Sequence, residues 1–388
     1  MCFAFVMDKY NRDSVDTFLY LVKAGLWESQ KSVQGYYDQE FKYVNWREVY
    51  QLAEDQSVIG LVAAGIEAVQ GEWLKVHGSP LVPQDWALQF IGQTLQIEQR
   101  NKEMNVFVAK LVEELRKAGV YALLVKGQGI AQCYKKPLWR SSGDIDLLLN
   151  KANYLNAVSF LTPFASDIKE EKSRFHNAMT IDGWIVELHG TLKTNLWKKL
   201  DKQIDCLQDD IFMHNRVREW DNNGCNILLP SPDEDIVLVF CHILQHFYKE
   251  GIGLRQICDW CRLMWVYRDN VNIENLESWI TKMDIKTEWK AFAVLAVEYL
   301  GMPEENVPMY DKRFKRKSAR ILALVLEAGN FGHNKDLSYH KKYSFLVYKT
   351  ISFLKHTLDN LRFALISPVN SIKVWCGMIK TGLSQINS

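Results

Sequence analysis

The chain has 388 residues, 48% of them hydrophobic and 24% charged, with a formal net charge of +1. That balance excludes extended disorder and names no polyanionic partner for the molecule as a whole, and the length accommodates about two or three compact units. The opening MCFAFVMDKYNRD lacks the basic start, apolar core and cleavage site of a secretory signal, and the longest apolar run, IVLVFCHIL, falls well short of the roughly 18 residues that cross a bilayer.

Residues 1–118 read as a helical N-terminal region. Asn45, with Glu48 three positions on, predicts a capping box that opens a helix running through GLVAAGIEAV. The stretch WALQFIGQTLQIEQRNKEMNVFVAKLVEELRKAG predicts one long helix ending at Gly119. The period then changes. VYALLVKG and GDIDLLLN are short aliphatic runs, and Asp182-Gly183 separates two strand-like arms in NAMTIDGWIVELHGTL, a strong hairpin pattern because a type I′ turn needs positive φ at both central positions. VREWDNNGCNILLP predicts a last hairpin, so residues 119–230 hold a small mixed sheet. Helices return at Ser231, a suitable N-cap before Pro232 and the acids Asp233, Glu234 and Asp235, and residues 231–388 form a helical C-terminal region. The fold class expected is α+β, with the C-terminal helices closing a cleft over the sheet.

Asp144 and Asp146 are the first candidate functional residues. Side chains alternate along a strand, so these two carboxylates share a face while Ile145 points the other way. Two like charges side by side repel unless a cation or hydrogen-bond donors hold them, and an oxygen-only pair suits Mg²⁺ or Mn²⁺. The same spacing is also compatible with a turn or capping feature. The second arm of the Asp-Gly hairpin places Ile185, Glu187 and His189 on one face, and a buried carboxylate among apolar neighbours costs several kcal/mol without partners. If that arm lies beside the strand of Asp144 and Asp146, the three acids converge on a metal site for moving phosphate. Upstream, Lys126-Gly127-Gln128-Gly129 follows a strand and opens a short helix, where glycines let backbone amides approach a phosphate.

Gly127-Gln128, a fifteen-residue spacer, Asp144-Ile145-Asp146-Leu147 and a strand acid at Glu187 together resemble the nucleotidyltransferase superfamily typified by DNA polymerase beta. The fuller stretch LLVKGQGIAQCYKKPLWRSSGDIDLLL followed by VELHGTL is more closely similar to the bacterial family of uncharacterised nucleotidyltransferases within it, over about residues 119–260. The resemblance implies that Gly127 contacts a triphosphate, with Gln128 standing where Gly or Ser is usual. It implies that Asp144 and Asp146 are paired metal ligands and that Glu187 is the third carboxylate.

The chemistry so implied is transfer of a nucleoside monophosphate from an NTP donor to an acceptor hydroxyl, with release of pyrophosphate. Mg²⁺ or Mn²⁺ held by the three acids would stabilise the leaving group and acidify the hydroxyl. Lys126 and Arg140 are the nearest cations for phosphate oxygens, Arg140 being the better fork. A non-catalytic nucleotide-binding or interaction module keeping the same fold is the alternative. The acceptor, whether small molecule, sugar, protein or RNA, is not written in these residues.

Other groupings have simpler readings. His242 and His246 lie four apart before Cys258-Asp-Trp-Cys261, a donor mix that suits zinc, yet both pairs sit in apolar helical patterns where Cys is commonly core. Arg255 and Asp259 have the spacing of a helix ion pair, although Arg255, His246 and His189 could instead face the cleft. From Lys341 to Ser388 seven basic residues face one acid, Asp359, which suits RNA or an anionic surface but equally a solvated helix face. The eight cysteines are scattered, as for reduced thiols in a cytoplasmic protein.

Overall fold

A computed structural model describes residues 9–27, 44–170, 175–335 and 345–386. Among the described residues four helices precede the sheet: α1 (Arg12–Trp27), α2 (Trp46–Asp55), α3 (Ile59–His77) and α4 (Gln84–Lys117). Asn45 caps α2 as its spacing predicts, accepting from Arg47 N at 3.1 Å and donating its amide to Glu48 Oε1 at 3.1 Å. The helix expected to run on through GLVAAGIEAV is instead broken after Asp55, with Ser57 at φ +55°. Tertiary bonds fix the break. The Gln56 side chain is buried, donating to Val325 O at 3.1 Å and accepting from Leu254 N at 2.8 Å, partners that a continuous helix could not present. α4 is one helix of 34 residues, and Gly119 at φ +73° follows its end.

The sheet has five strands: β1 (Leu123–Val125), β2 (Ile145–Leu148), β3 (Asp167–Glu170), β4 (His176–Ile181) and β5 (Trp184–His189), in spatial order β1-β2-β5-β4-β3. A short helix, α5 (Gly127–Ala131), follows β1, and α6 (Lys151–Leu161) follows β2. β2 pairs with β5 in parallel, with Asp146 opposite Glu187, and the remaining pairings are antiparallel. The Asp-Gly turn is realised with Asp182 at φ +50° and Gly183 at φ +82°. After α7 (Lys198–Met213), β6 (Val217–Asn222) and β7 (Cys225–Pro230) form the last expected hairpin as a separate two-stranded ribbon, turning at Asn223-Gly224.

Helices then continue: α8 (Pro232–Lys249), α9 (Leu254–Tyr267), α10 (Ile273–Met283), α11 (Lys286–Glu298), α12 (Lys315–Ala328), α13 (Phe345–Ala364) and α14 (Pro368–Ile386). Ser231 occupies the N-cap position of α8, but its hydroxyl donates to the Glu234 carboxylate instead of accepting from a backbone amide. The architecture is α+β, a small mixed sheet between helical N- and C-terminal regions. Among the described residues no helix is long and apolar enough to cross a membrane.

Among the described residues two cores hold it together. One lies between α4 and the sheet, with Met104, Val108 and Leu115 against Ile145, Leu147, Val186 and Leu188. The larger one joins α1–α3 directly to the C-terminal helices, so the two helical regions share an interior. Trp260 and Trp289 cross edge to face there with centroids 4.8 Å apart, beside Phe240, which settles these tryptophans as core. In the basic C-terminal stretch Arg362 pairs with Glu327 and Lys373 with Asp284; Lys341 and Lys342 lie outside the described residues.

Candidate active site

The parallel register of β2 and β5 brings Glu187 alongside Asp146, and Asp144 stands immediately before β2. Oxygens of Asp144, Asp146 and Glu187 lie within 4.8 Å of one another. They line a cavity of about 530 Å³ whose other walls come from α8, α9, the segment 191–195 and Phe331. The C-terminal helices therefore cover the sheet's polar face, as the sequence leads one to expect.

Electrostatics within the cluster are uneven. Asp146 is buried, and one oxygen, Oδ1, lies 2.8 Å from both Lys126 Nζ and His189 Nε2. Burial raises its proton affinity, but Lys126 and His189 outweigh that and hold it below the usual carboxylate range. Glu187 is likewise held low: burial opposes ionisation, and contacts from His176 and His189, at 3.2 and 3.4 Å, overcome it. Asp144 goes the other way. The neighbouring Asp146 charge, then burial, raise its pKa.

Lys126 lines the cavity at φ +59°, and Gly127 at φ +39° makes the turn into α5. Gly129 has a packing role, since a Cβ there would lie 2.7 Å from Leu229 Cδ2. The Gln128 side chain points away from the cavity, into the core against Met104 Sδ. The expectation of a phosphate fork at Arg140 is revised as well. Arg140 borders the cavity, but its guanidinium grips Asp259 through Nε (3.0 Å) and Nη2 (2.7 Å), both side chains being 4% exposed.

Asp259 is thus held by Arg140, with Tyr134 donating its hydroxyl at 2.8 Å, instead of by Arg255. Arg255 faces the cavity. Its Nη1 donates to Ser141 O at 2.9 Å, while its Nε is buried with no partner among the described residues. Burial, then the nearby Arg140, lower its pKa against the opposing pull of Asp259 and Asp144. Its place in the wall is set by the α8–α9 hairpin, which spacing alone does not reveal.

His242 and His246 also line the cavity, with rings 4.3 Å apart, whereas Cys258 and Cys261 are fully buried with thiols pushed up by burial. The thiolates that a zinc site requires are disfavoured there. His176 is a site residue missed by sequence reasoning. Its signal was present: a two-residue turn at 182–183 pairs Ile181 with Trp184, and counting outward sets His176 opposite His189.

A search of solved structures finds similarity to an antigenic nucleotidyltransferase-like protein from Paracoccidioides brasiliensis, at 14% identity, 55% coverage of this chain, 97% of that one and a TM-score of 0.33. No curated protein matches the chain. A family model described as uncharacterised nucleotidyltransferase matches residues 42–301, taking in the helices on both sides of the 119–260 stretch where the resemblance was read. With the match spanning most of its length, the chain belongs to the uncharacterised nucleotidyltransferase family.

Proposed function

We propose that the protein transfers a nucleoside monophosphate from an NTP to an acceptor hydroxyl, releasing pyrophosphate, with the help of a divalent cation. The observation that carries this reading is the meeting of three carboxylates, Asp144, Asp146 and Glu187, within 4.8 Å on a cavity wall. Their donor set fits Mg²⁺ or Mn²⁺: all three offer oxygen, and the repulsion by which Asp146 raises the Asp144 pKa is one that a cation between them would relieve. Asp144, Asp146 and Glu187 would hold the ion. When bound, it supplies charge neutralisation for the triphosphate and a more acidic acceptor hydroxyl.

The chain's own groups do the positioning. Arg140, anchored on Asp259, donates from Nη1 to Ser141 O (3.2 Å) and Ser142 Oγ (3.0 Å), and Arg255 donates to the same Ser141 carbonyl. Those bonds fix the loop that delivers Asp144. Arg255, on the cavity wall, and Lys126, beside the carboxylates, would supply positive charge for phosphate oxygens. The positive φ of Gly127 lets the backbone turn close beside Asp144, whose carbonyl would stand 3.6 Å from a Cβ at that position. Residues of α8 and α9 form the wall facing the sheet, and their apolar side chains Leu238, Val239 and Ile243 lower the local dielectric around these interactions.

One observation favours a second reading, a nucleotide-binding module without turnover: Asp146 Oδ1 is already engaged by both Lys126 and His189. Calorimetry with each of the four NTPs, with and without Mg²⁺, separates the readings when run beside pyrophosphate release. An enzyme binds one NTP in a Mg²⁺-dependent way and releases pyrophosphate with an acceptor, and the Asp144→Asn, Asp146→Asn double variant loses both. Binding without release supports the module, and no binding by the wild type refutes both.

A further inference from the structure

The sheet carries a second cluster of donors beside the three acids, and it differs from them in chemistry. His176 on β4 and His189 on β5 are opposite one another, and Glu187 lies two residues before His189 on the same face. The imidazoles stack with centroids 4.6 Å apart and planes 24° from parallel. Both Nε2 atoms approach one oxygen, Glu187 Oε2, at 3.2 and 3.4 Å, and the three donor atoms all lie within 4.8 Å of one another.

These separations suit a shared ion better than a shared proton. Charge-assisted N–H···O⁻ bonds close to roughly 2.7–2.9 Å, as His189 does with Asp146. Ligands on a tetrahedron with bonds of about 2.0–2.1 Å stand roughly 3.3–3.4 Å apart, since the edge is about 1.6 times the bond. The contacts to Glu187 fall close to that edge. Two paired strands hold the ligands, so little ordering remains to be done on binding. The His176 and Glu187 side chains are 16% and 24% exposed, which leaves a path for an ion from the cavity that both residues line.

We propose that His176, His189 and Glu187 form a cation site with two nitrogens and one oxygen, selective for a borderline first-row ion such as Zn²⁺ over Mg²⁺. Imidazole suits Zn²⁺, whereas Mg²⁺ prefers oxygen and holds its water tightly. Ligation uses the Nε2 lone pairs, so each neutral ring keeps its proton on Nδ1 and Asp146 gives up its contact with His189. The inference goes beyond nucleotide transfer, because ion uptake here needs no nucleotide. Since Glu187 belongs to both clusters, the ion at the histidines and an ion at the aspartates share one ligand.

The test uses the full chain without nucleotide: calorimetry with Zn²⁺ and with Mg²⁺, and the visible absorption of the Co²⁺-loaded protein. Zn²⁺ is expected to bind at least about tenfold more tightly than Mg²⁺, and His176→Gln to weaken Zn²⁺ by about tenfold or more. Asp144→Asn is expected to leave Zn²⁺ affinity within about twofold while weakening Mg²⁺. Equal Zn²⁺ affinity in wild type and His176→Gln overturns the proposal, as does Zn²⁺ loss that follows Asp144→Asn instead. If the histidine variant does not fold, the wild-type Co²⁺ spectrum decides: intense tetrahedral bands support nitrogen ligation, and a weak octahedral spectrum refutes it. A positive result at the histidines stands even if no NTP binds, so this site and the nucleotide reading fail independently.

Discussion

Asp259→Ala removes the anion from a buried guanidinium and should be among the costlier single substitutions in the chain. Arg140 would lose two charge-assisted bonds, at 3.0 and 2.7 Å, in a place where its side chain is 4% exposed. Tyr134 would lose its acceptor, and Arg255, half-buried nearby, would face Arg140 with less compensation. Orphaning one partner of such a pair costs about 3–5 kcal/mol, which shifts the folding equilibrium by roughly 150- to 4,000-fold. Replacing both partners with leucine removes both charges of the pair, and with them the repulsion of Arg255 by Arg140, so the Arg140→Leu, Asp259→Leu protein should lie within about 2 kcal/mol of wild type. Urea unfolding followed by circular dichroism measures the three proteins side by side. A loss under about 1 kcal/mol for Asp259→Ala, or a double variant no more stable than the single, would refute the assignment of Arg140 to a buried structural pair.

The remaining predictions concern packing and protons. Gly65 lies where α3 crosses α1, and a Cβ there would meet Leu21 O at 2.0 Å, so Gly65→Ala should cost about 1–3 kcal/mol or more by thermal unfolding. Gly71, on the same helix with nothing within 4 Å, is the control: Gly71→Ala should stabilise by about 0.5–1 kcal/mol, and equal effects at both positions would contradict the helix crossing. Lys126→Met removes a cation that favours the ionised form of Asp146. The folded pKa of that carboxylate then rises, protons compete with Mg²⁺ sooner as pH falls, and the pH midpoint for loss of Mg²⁺ binding moves upward; a midpoint unmoved or lowered in a calorimetric pH series contradicts the role given to Lys126.

Local grammar was legible wherever local rules decide the structure. Alternation put Asp144 and Asp146 on one face, Asp182-Gly183 fixed a turn, and the family match is consistent with the resemblance carried by those residues. β3 was not legible, because Asp167–Glu170 is a four-residue edge strand with little apolar alternation to mark it. The partners of Arg140 and Gln56 were hidden for a different reason. Asp259 lies 119 residues from Arg140 and Val325 lies 269 from Gln56, so only the assembled helices bring them together. Packing between α4 and α5 turned Gln128 toward Met104, only 24 residues away in sequence, although the glycines beside it pointed to phosphate.

The shared interior of the two helical regions also sets a timetable. Trp27 Nε1 donates to Leu300 O across 273 residues, and Arg262 Nη1 donates to Leu26 O across 236. At roughly 5–20 residues per second of synthesis, α1 waits about 14–55 s on the ribosome before its partner for the first of these bonds exists. During that interval Phe18, Leu21 and Leu26, all buried in the finished protein, have no finished core to enter. Truncation before α11 should therefore yield an aggregating product instead of a smaller folded one.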